Sequence, residues 1–272
     1  MNKPFKNMLV ISDLDGTLLT KDMTISTCDI EAIKLFCMLG GKFTVATGRS
    51  IEAVRPYVNQ LFINTPAILY NGALIYDFQK ERALYAKFLP IDAIDAIKHF
   101  MKAFPEVGSE VMTEDYHIYF TNATQYTYMH AFEESLNYLV KDFRHIKQRL
   151  FKALFTCDAV THRLLIKEAK YLTHDGFYFV PTSDHYFELM PAGVSKGNAL
   201  KILCDELLIP IKNTVAVGDY YNDIDLFKAA NYSVAMGNAP QDIKNIANEV
   251  TASVESGGVG HFLYEFINKH HK

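Results

Sequence analysis

Four short segments of this chain hold residue types that together can move a phosphoryl group. Asp13 and Asp15 stand two apart in Asp13-Leu14-Asp15-Gly16-Thr17, so extended backbone there aims both carboxylates to one side. Two close carboxylates repel, and both stay ionised only beside a cation or strong hydrogen-bond donors; hard oxygen ligands of this kind suit Mg²⁺. Gly16 lets the backbone turn sharply and Thr17 offers a hydroxyl to hold that turn. Taken alone, the string also fits an ordinary Asp/Gly surface turn.

The other three segments gain meaning beside the first. In Thr47-Gly48-Arg49 a hydroxyl and backbone N–H groups at a helix start can hold phosphate oxygens. Lys196, in Gly193-Val194-Ser195-Lys196-Gly197, precedes a helix-like run, where an ammonium can neutralise an aspartate and a phosphate together. Gly218-Asp219-Tyr220-Tyr221-Asn222-Asp223 sets two more acids behind an apolar run, and a helix cap explains one of them but not both. Singly these are a Thr-Gly turn, an exposed lysine and a capped helix. In combination, a divalent cation and Lys196 offset the aspartates and let a phosphate dianion approach a carboxylate nucleophile.

The intervening pattern supplies the scaffold. Residues 8–12 form a continuous apolar run, as in a strand buried on both faces of a parallel sheet. A helix capped by Ser26 or Thr27 and ended at Gly40-Gly41, a strand at 43–46, helical spacing from Ile51 to Leu61 and a strand at 67–70 continue a βαβ rhythm. A hairpin from 74–76 and 84–86 closes this part. Residues 88–184 then mix strand-like pieces (117–121, 153–156, 177–180) with helical ones, and read as an inserted α+β domain. Parallel character returns with a helix at 196–208, a strand at 214–217, a helix at 224–230 and a strand at 232–235. The expected organisation is a discontinuous α/β core, 1–87 and 185–272, around an insert at 88–184. Asp13, Thr47 and Asp219 then all follow carboxyl ends of strands, where open α/β sheets bind ligands. The basic stretch 141–152 reads as a solvated helix face, and Gly257-Gly258-Val259-Gly260 as a loop before the last helix, lacking nucleotide-loop spacing.

Bulk properties narrow the function classes. In 272 residues, 49% are hydrophobic and 21% charged, ample for folded cores and unlike a disordered chain. A formal charge of −4 leaves no basic excess for an extended nucleic-acid or membrane surface. No apolar run has bilayer-spanning length, the amino-terminal residues do not read as a secretory leader, and Cys28, Cys37, Cys157 and Cys204 lack CxxC spacing. A reduced cytoplasmic setting is expected, with no nucleic-acid or membrane partner.

The set DLDGT, TGR, VSKG and GDYYND, in this order at strand ends, resembles the haloacid dehalogenase superfamily of phosphatases. Tyr70-Asn71-Gly72-Ala73, the ELMP run at 188–191 and the insert of roughly a hundred residues are similar to the Cof-type subgroup with its C2-type cap, so the resemblance spans nearly the whole chain. It implies a Rossmann-like core with an inserted cap domain that sets specificity, and hydrolysis of a small phosphorylated metabolite, a sugar phosphate or similar monoester. It further implies Asp13 as nucleophile and Asp15 as acid/base. Mg²⁺ would be held by Asp13, the Asp15 main-chain carbonyl, Asp219 and Asp223, the last directly or through water. Thr47, Gly48, Lys196, Asn222 and the Leu14 N–H would grip the phosphoryl oxygens. Arg49 and Asn71 match family positions without an assigned role. Two rival readings are a receiver-type phospho-acceptor and a sugar phosphomutase; Asp15 and the large insert favour turnover over signalling. A phosphorylated ion pump would need transmembrane helices.

Overall fold

Leu9–Ser12 is buried along its whole length because both faces of its sheet are covered, as its unbroken apolar run requires. It pairs in parallel with Lys42–Val45 on one side and Thr214–Gly218 on the other. Tyr232–Ala235 and then Glu249–Val250 extend the sheet, also in parallel, to five strands. The computed structural model describes residues 3–172 and 174–270. It divides into two compact units: the described part of Met1–Gly48, Val54–Tyr85 and Ser195–Lys272, and Arg49–Ala53 with Ala86–Val194.

In the first unit, Leu200 and Leu203 of helix Lys196–Leu207 and Leu226 of helix Ile224–Ala229 pack with Leu9, Ile11 and Ala216. Helix Thr27–Met38 is capped by Ser26 and packs on helix Gly258–His270. Fully buried Asp29 accepts a 2.6 Å bond there from the Gly260 N–H. The glycine run is therefore partly helical rather than a loop, its second glycine opening the helix. The single helix expected from Ile51 to Leu61 is two short ones, Ile51–Val54 and Tyr57–Gln60, because Pro56 lacks the N–H a continuous helix needs. Ala67–Leu69 touches the parallel sheet through the Ala46–Ile68 bridge and pairs antiparallel with Leu74–Asp77, beside which lies Arg82–Ala86.

The second unit carries a six-stranded sheet ordered Phe177–Pro181, Tyr186–Pro191, Leu150–Thr156, Gly108–Thr113, Ile118–Asn122 and Leu139–Val140. Its pairings are antiparallel except the last. Helices Ala93–Ala103 and Ala159–Ala169 bury Ile97, Phe100 and Leu165 with Val111, Ala153, Phe155 and Leu189. Strand alternation puts Glu110, Lys152 and Glu188 on the opposite face. There Lys152 Nζ lies 2.7 Å from Glu188 Oε1, both side chains buried.

Two readings from sequence differ here. Residues 185–194 were expected in the core, yet Tyr186–Pro191 pairs with strands of the insert on both sides, and the division falls after Val194. The stretch 141–152 is no helix but a single 3₁₀ turn, Phe143–His145, running into a strand, and its last lysine is buried.

Candidate active site

Asp13 follows Leu9–Ser12 directly, and its N–H donates to the Val217 carbonyl at 2.8 Å, so the sheet ladder itself holds the residue. Its side chain is 7% exposed, and Lys196 Nζ lies 2.5 Å from its Oδ1. The same ammonium lies 2.7 Å from Asp223 Oδ1, with both of those side chains fully buried. Lys196 reaches them from the first position of its helix, whose cap is Ser195.

The Asp219–Asp223 loop closes on itself. Asp223 Oδ2 accepts from the N–H groups of Asp219, at 3.0 Å, and Tyr220, at 3.2 Å. A Cβ on Gly218 would run into the Asp223 carboxyl, so only glycine fits there. Asp219 Oδ1 accepts from Thr17 Oγ1 at 2.8 Å, so that hydroxyl orients an acid in another loop rather than its own turn. Gly16 sits at φ +75°, and a Cβ on it would stand 2.5 Å from Asp219 Oδ2.

These placements bring one carboxylate oxygen each of Asp13, Asp219 and Asp223 within 4.8 Å of one another. Burial pushes Asp13 well above the usual carboxylate range; Lys196 pulls it back, and the neighbouring carboxylates of Asp223, Asp219 and Asp15 add to the rise. Burial, then Asp223, raises Asp219 to about 6, against the Thr17 hydrogen bond. Burial alone would discharge Lys196, but Asp13 and Asp223 hold it protonated far above neutral pH. Three buried acids with one ammonium carry a local excess of negative charge and hard oxygen donors, which fits a divalent cation.

Thr47 is buried after Lys42–Val45, with its N–H on the Ile68 carbonyl and its own carbonyl accepting from the Asn71 N–H, both at 2.9 Å. Gly48 follows it, and a Cβ there would meet the Asn71 side-chain amide at 3.1 Å. Leu14 is buried, whereas Asp15 and Asn222 are exposed and stand outside the three-acid group. Arg49, by contrast, is buried and groups with the insert, where its charge helps hold Glu134 in its ionised form.

Sequence reasoning passed over Asn238. Its Nδ2 donates to the Gly16 carbonyl at 2.8 Å and faces Asp219 Oδ2 at 3.4 Å, while its Oδ1 accepts from the Val254 N–H at 2.9 Å. A usable signal existed, since Asn238 follows the strand Tyr232–Ala235 at the same carboxyl edge as the acids.

A family model described as haloacid dehalogenase-like hydrolase matches residues 10–263. The chain belongs to that family. It is 30% identical to phosphatase YwpJ of Bacillus subtilis, over 95% of this chain and 99% of that one. It is 27% identical to the 5-amino-6-(5-phospho-D-ribitylamino)uracil phosphatase YitU of the same organism, over 97% and 98%. A haloacid dehalogenase-like hydrolase from Bacteroides thetaiotaomicron shares the fold at a TM-score of 0.87, with 24% identity over 95% of this chain and 99% of that chain. The protein is thus a Cof-type hydrolase of the phosphatase class. No helix among its described residues is long and apolar enough to cross a membrane.

Proposed function

We propose that this phosphatase depends on Mg²⁺ and hydrolyses a small phosphorylated metabolite, a sugar phosphate or similar monoester, by way of a phosphoryl group carried on Asp13. The observation that carries the reading is the buried Asp13 carboxylate, held by Lys196 and grouped with Asp219 and Asp223 at the carboxyl edge of the sheet. The name of the relative YitU, a phosphatase of a phosphoribityl compound, supports a small phosphomonoester as substrate.

Asp13, Asp219 and Asp223, with the Asp15 carbonyl, would hold the cation. When bound, Mg²⁺ supplies charge neutralisation for the phosphoryl oxygens and for the acids around them. A carboxylate oxygen of Asp13 attacks phosphorus as the bond to the ester oxygen breaks, and Asp15 gives its proton to that leaving oxygen. Asp15, now ionised, takes a proton from water, whose oxygen attacks the same phosphorus and breaks the bond to Asp13. The exposure of the Asp15 side chain suits a group that exchanges protons with ester and water. Thr47, Gly48, Lys196, Asn222 and the Leu14 N–H would hold the phosphoryl oxygens through both steps.

A screen for phosphate release over sugar phosphates, nucleotides, pyridoxal phosphate and flavin mononucleotide tests this, run with Mg²⁺, with chelator and with Asp13→Asn. Release from at least one monoester, lost in both controls, is expected. Turnover by Asp13→Asn near that of the wild type would overturn the role of Asp13.

A further inference from the structure

We infer that Asn238 is a positioning residue for the cation site, fixing the Asp219 carboxylate through one arm of its amide while tying three loops together with the rest. The inference rests on the proposed metal role of Asp219 and goes beyond it to a residue that supplies no ligand atom.

The argument begins with Asp219, whose two oxygens have different neighbours. Oδ1 accepts from the buried Thr17 hydroxyl at 2.8 Å. Oδ2 is bounded by Gly16, where even a methyl carbon would stand 2.5 Å away, and by the Asn238 amide nitrogen at 3.4 Å. A carboxylate rotates about one bond, so a donor on each oxygen and a backbone wall beside it leave one orientation. Orientation of this kind is what outer groups contribute to metal ligands.

The amide itself cannot be turned round. Its nitrogen faces two acceptors, Gly16 O at 2.8 Å and Asp219 Oδ2, and its oxygen faces a donor, Val254 N–H, at 2.9 Å. Exchanging nitrogen and oxygen would set oxygen against two oxygens and nitrogen against an N–H. Asn238 is held from its backbone side too: Met236 N–H donates to the Gly218 carbonyl at 3.0 Å and Gly237 N–H to the Ala252 carbonyl at 2.9 Å. The turn bearing Asn238 is therefore anchored to the Asp219 loop and to residues 252–254 before its side chain reaches Gly16. The carbonyl it grips belongs to the residue after Asp15, so one amide sets the loop of Asp13 and Asp15 against the loop of Asp219. Among standard side chains of this length only asparagine offers two N–H arms and an acceptor; aspartate would bring a third carboxylate against Asp219.

The test is calorimetric titration of metal-free protein with Mg²⁺, for the wild type, Asn238→Ala and Asn238→Leu, the leucine preserving bulk without donors. Both variants should bind Mg²⁺ about tenfold more weakly, within the roughly 10- to 100-fold range for lost outer partners of metal ligands. Phosphate release should recover as Mg²⁺ is raised, so the half-saturating concentration moves while kcat at saturation stays within a few-fold. A Kd within twofold of the wild type in either folded variant overturns the inference. So does a kcat that stays depressed at saturating Mg²⁺ with the half-saturating concentration unmoved. If the wild type itself binds no Mg²⁺, the proposed metal site fails, and that outcome is distinct from wild-type binding with unchanged variants.

Discussion

Lys196 Nζ stands 2.5 Å from Asp13 Oδ1 and 2.7 Å from Asp223 Oδ1, so one buried ammonium serves two acids of different loops. Removing it leaves the acids facing one another out of water. Breaking a buried pair in this way costs roughly 3–5 kcal/mol, and at about 2–4 °C per kcal/mol for a chain of this size Tm should fall by roughly 6–20 °C. Lys196→Met should therefore melt early without metal, release no phosphate, and gain more Tm from added Mg²⁺ than the wild type does. A metal-free Tm within 2 °C of the wild type, by roughly that same scale, would show that the ammonium is not what holds these acids together.

The two carboxylates of the first loop should separate by role. Asp13→Asn removes the proposed nucleophile and a proposed metal ligand together, and phosphate release should fall at least about 10³-fold, as when a covalent nucleophile is lost. Asp15→Asn should be as inactive yet still bind Mg²⁺, since its proposed contact is a main-chain carbonyl and its side chain lies outside the three-acid group. Calorimetry on both variants decides this. Large loss of Mg²⁺ affinity in folded Asp15→Asn would place its carboxylate on the metal instead.

What was legible in the sequence was set by distance along the chain. Asp13, Thr47 and Asp219 each follow an apolar strand, and strand ends can be read locally, as can the capping of Thr27–Met38 by Ser26. The partnership of Thr17 with Asp219 spans 202 residues and that of Asn238 with Gly16 spans 222, so neither leaves a local pattern. Lys152 misled for the same reason. Amid basic neighbours it reads as solvated, and only the strand bearing Glu188 makes it a buried partner. That strand also moved the end of the insert from Asp184 to Val194, since a short apolar run does not reveal which sheet it will join.

The insert carries a charge of its own to test. His130 is buried between Glu110, 2.9 Å from its Nδ1, and Glu134, 3.5 Å from its Nε2. Burial would discharge the ring, but Glu110 and Glu134 outweigh it and raise the imidazole to about 10. Glu134 falls to about 2: burial alone would raise it, and His130, Arg49 and Lys152 outweigh that. Glu110, with its Oε1 unpartnered, is raised, by burial first. A group whose pKa rises on folding stabilises fully below its unfolded value, here 6.5, and loses that stabilisation as pH climbs through about 10. His130→Gln should thus cost roughly 3 kcal/mol at pH 7, the scale of a broken buried pair. The difference from the wild type should shrink steadily toward pH 10. A gap in urea-midpoint stability that stays constant from pH 7 to 10 would mean the ring is neutral throughout.

The proposed cation requirement can be separated from general charge neutralisation by comparing ions. Asp13, Asp219 and Asp223 present oxygens within 4.8 Å of one another, on side chains held by Lys196, Thr17 and the backbone of the Asp219 loop. Mg²⁺ holds six ligands at about 2.0–2.1 Å in near-octahedral order, whereas Ca²⁺ takes six to eight at about 2.3–2.6 Å with looser geometry. The proposed nucleophile is itself one of the proposed ligands, so a longer and less directional shell would displace the attacking oxygen from phosphorus, and small misplacements at a reacting centre are costly. Activity should vanish in excess chelator, return with Mg²⁺, and reach with Ca²⁺ no more than about a tenth of the Mg²⁺ rate. Ca²⁺ should nevertheless bind, and therefore inhibit the Mg²⁺ enzyme competitively in a two-metal titration. Equal rates with the two ions would mean that the acids need only charge compensation, and full activity in chelator would remove the metal from the reaction.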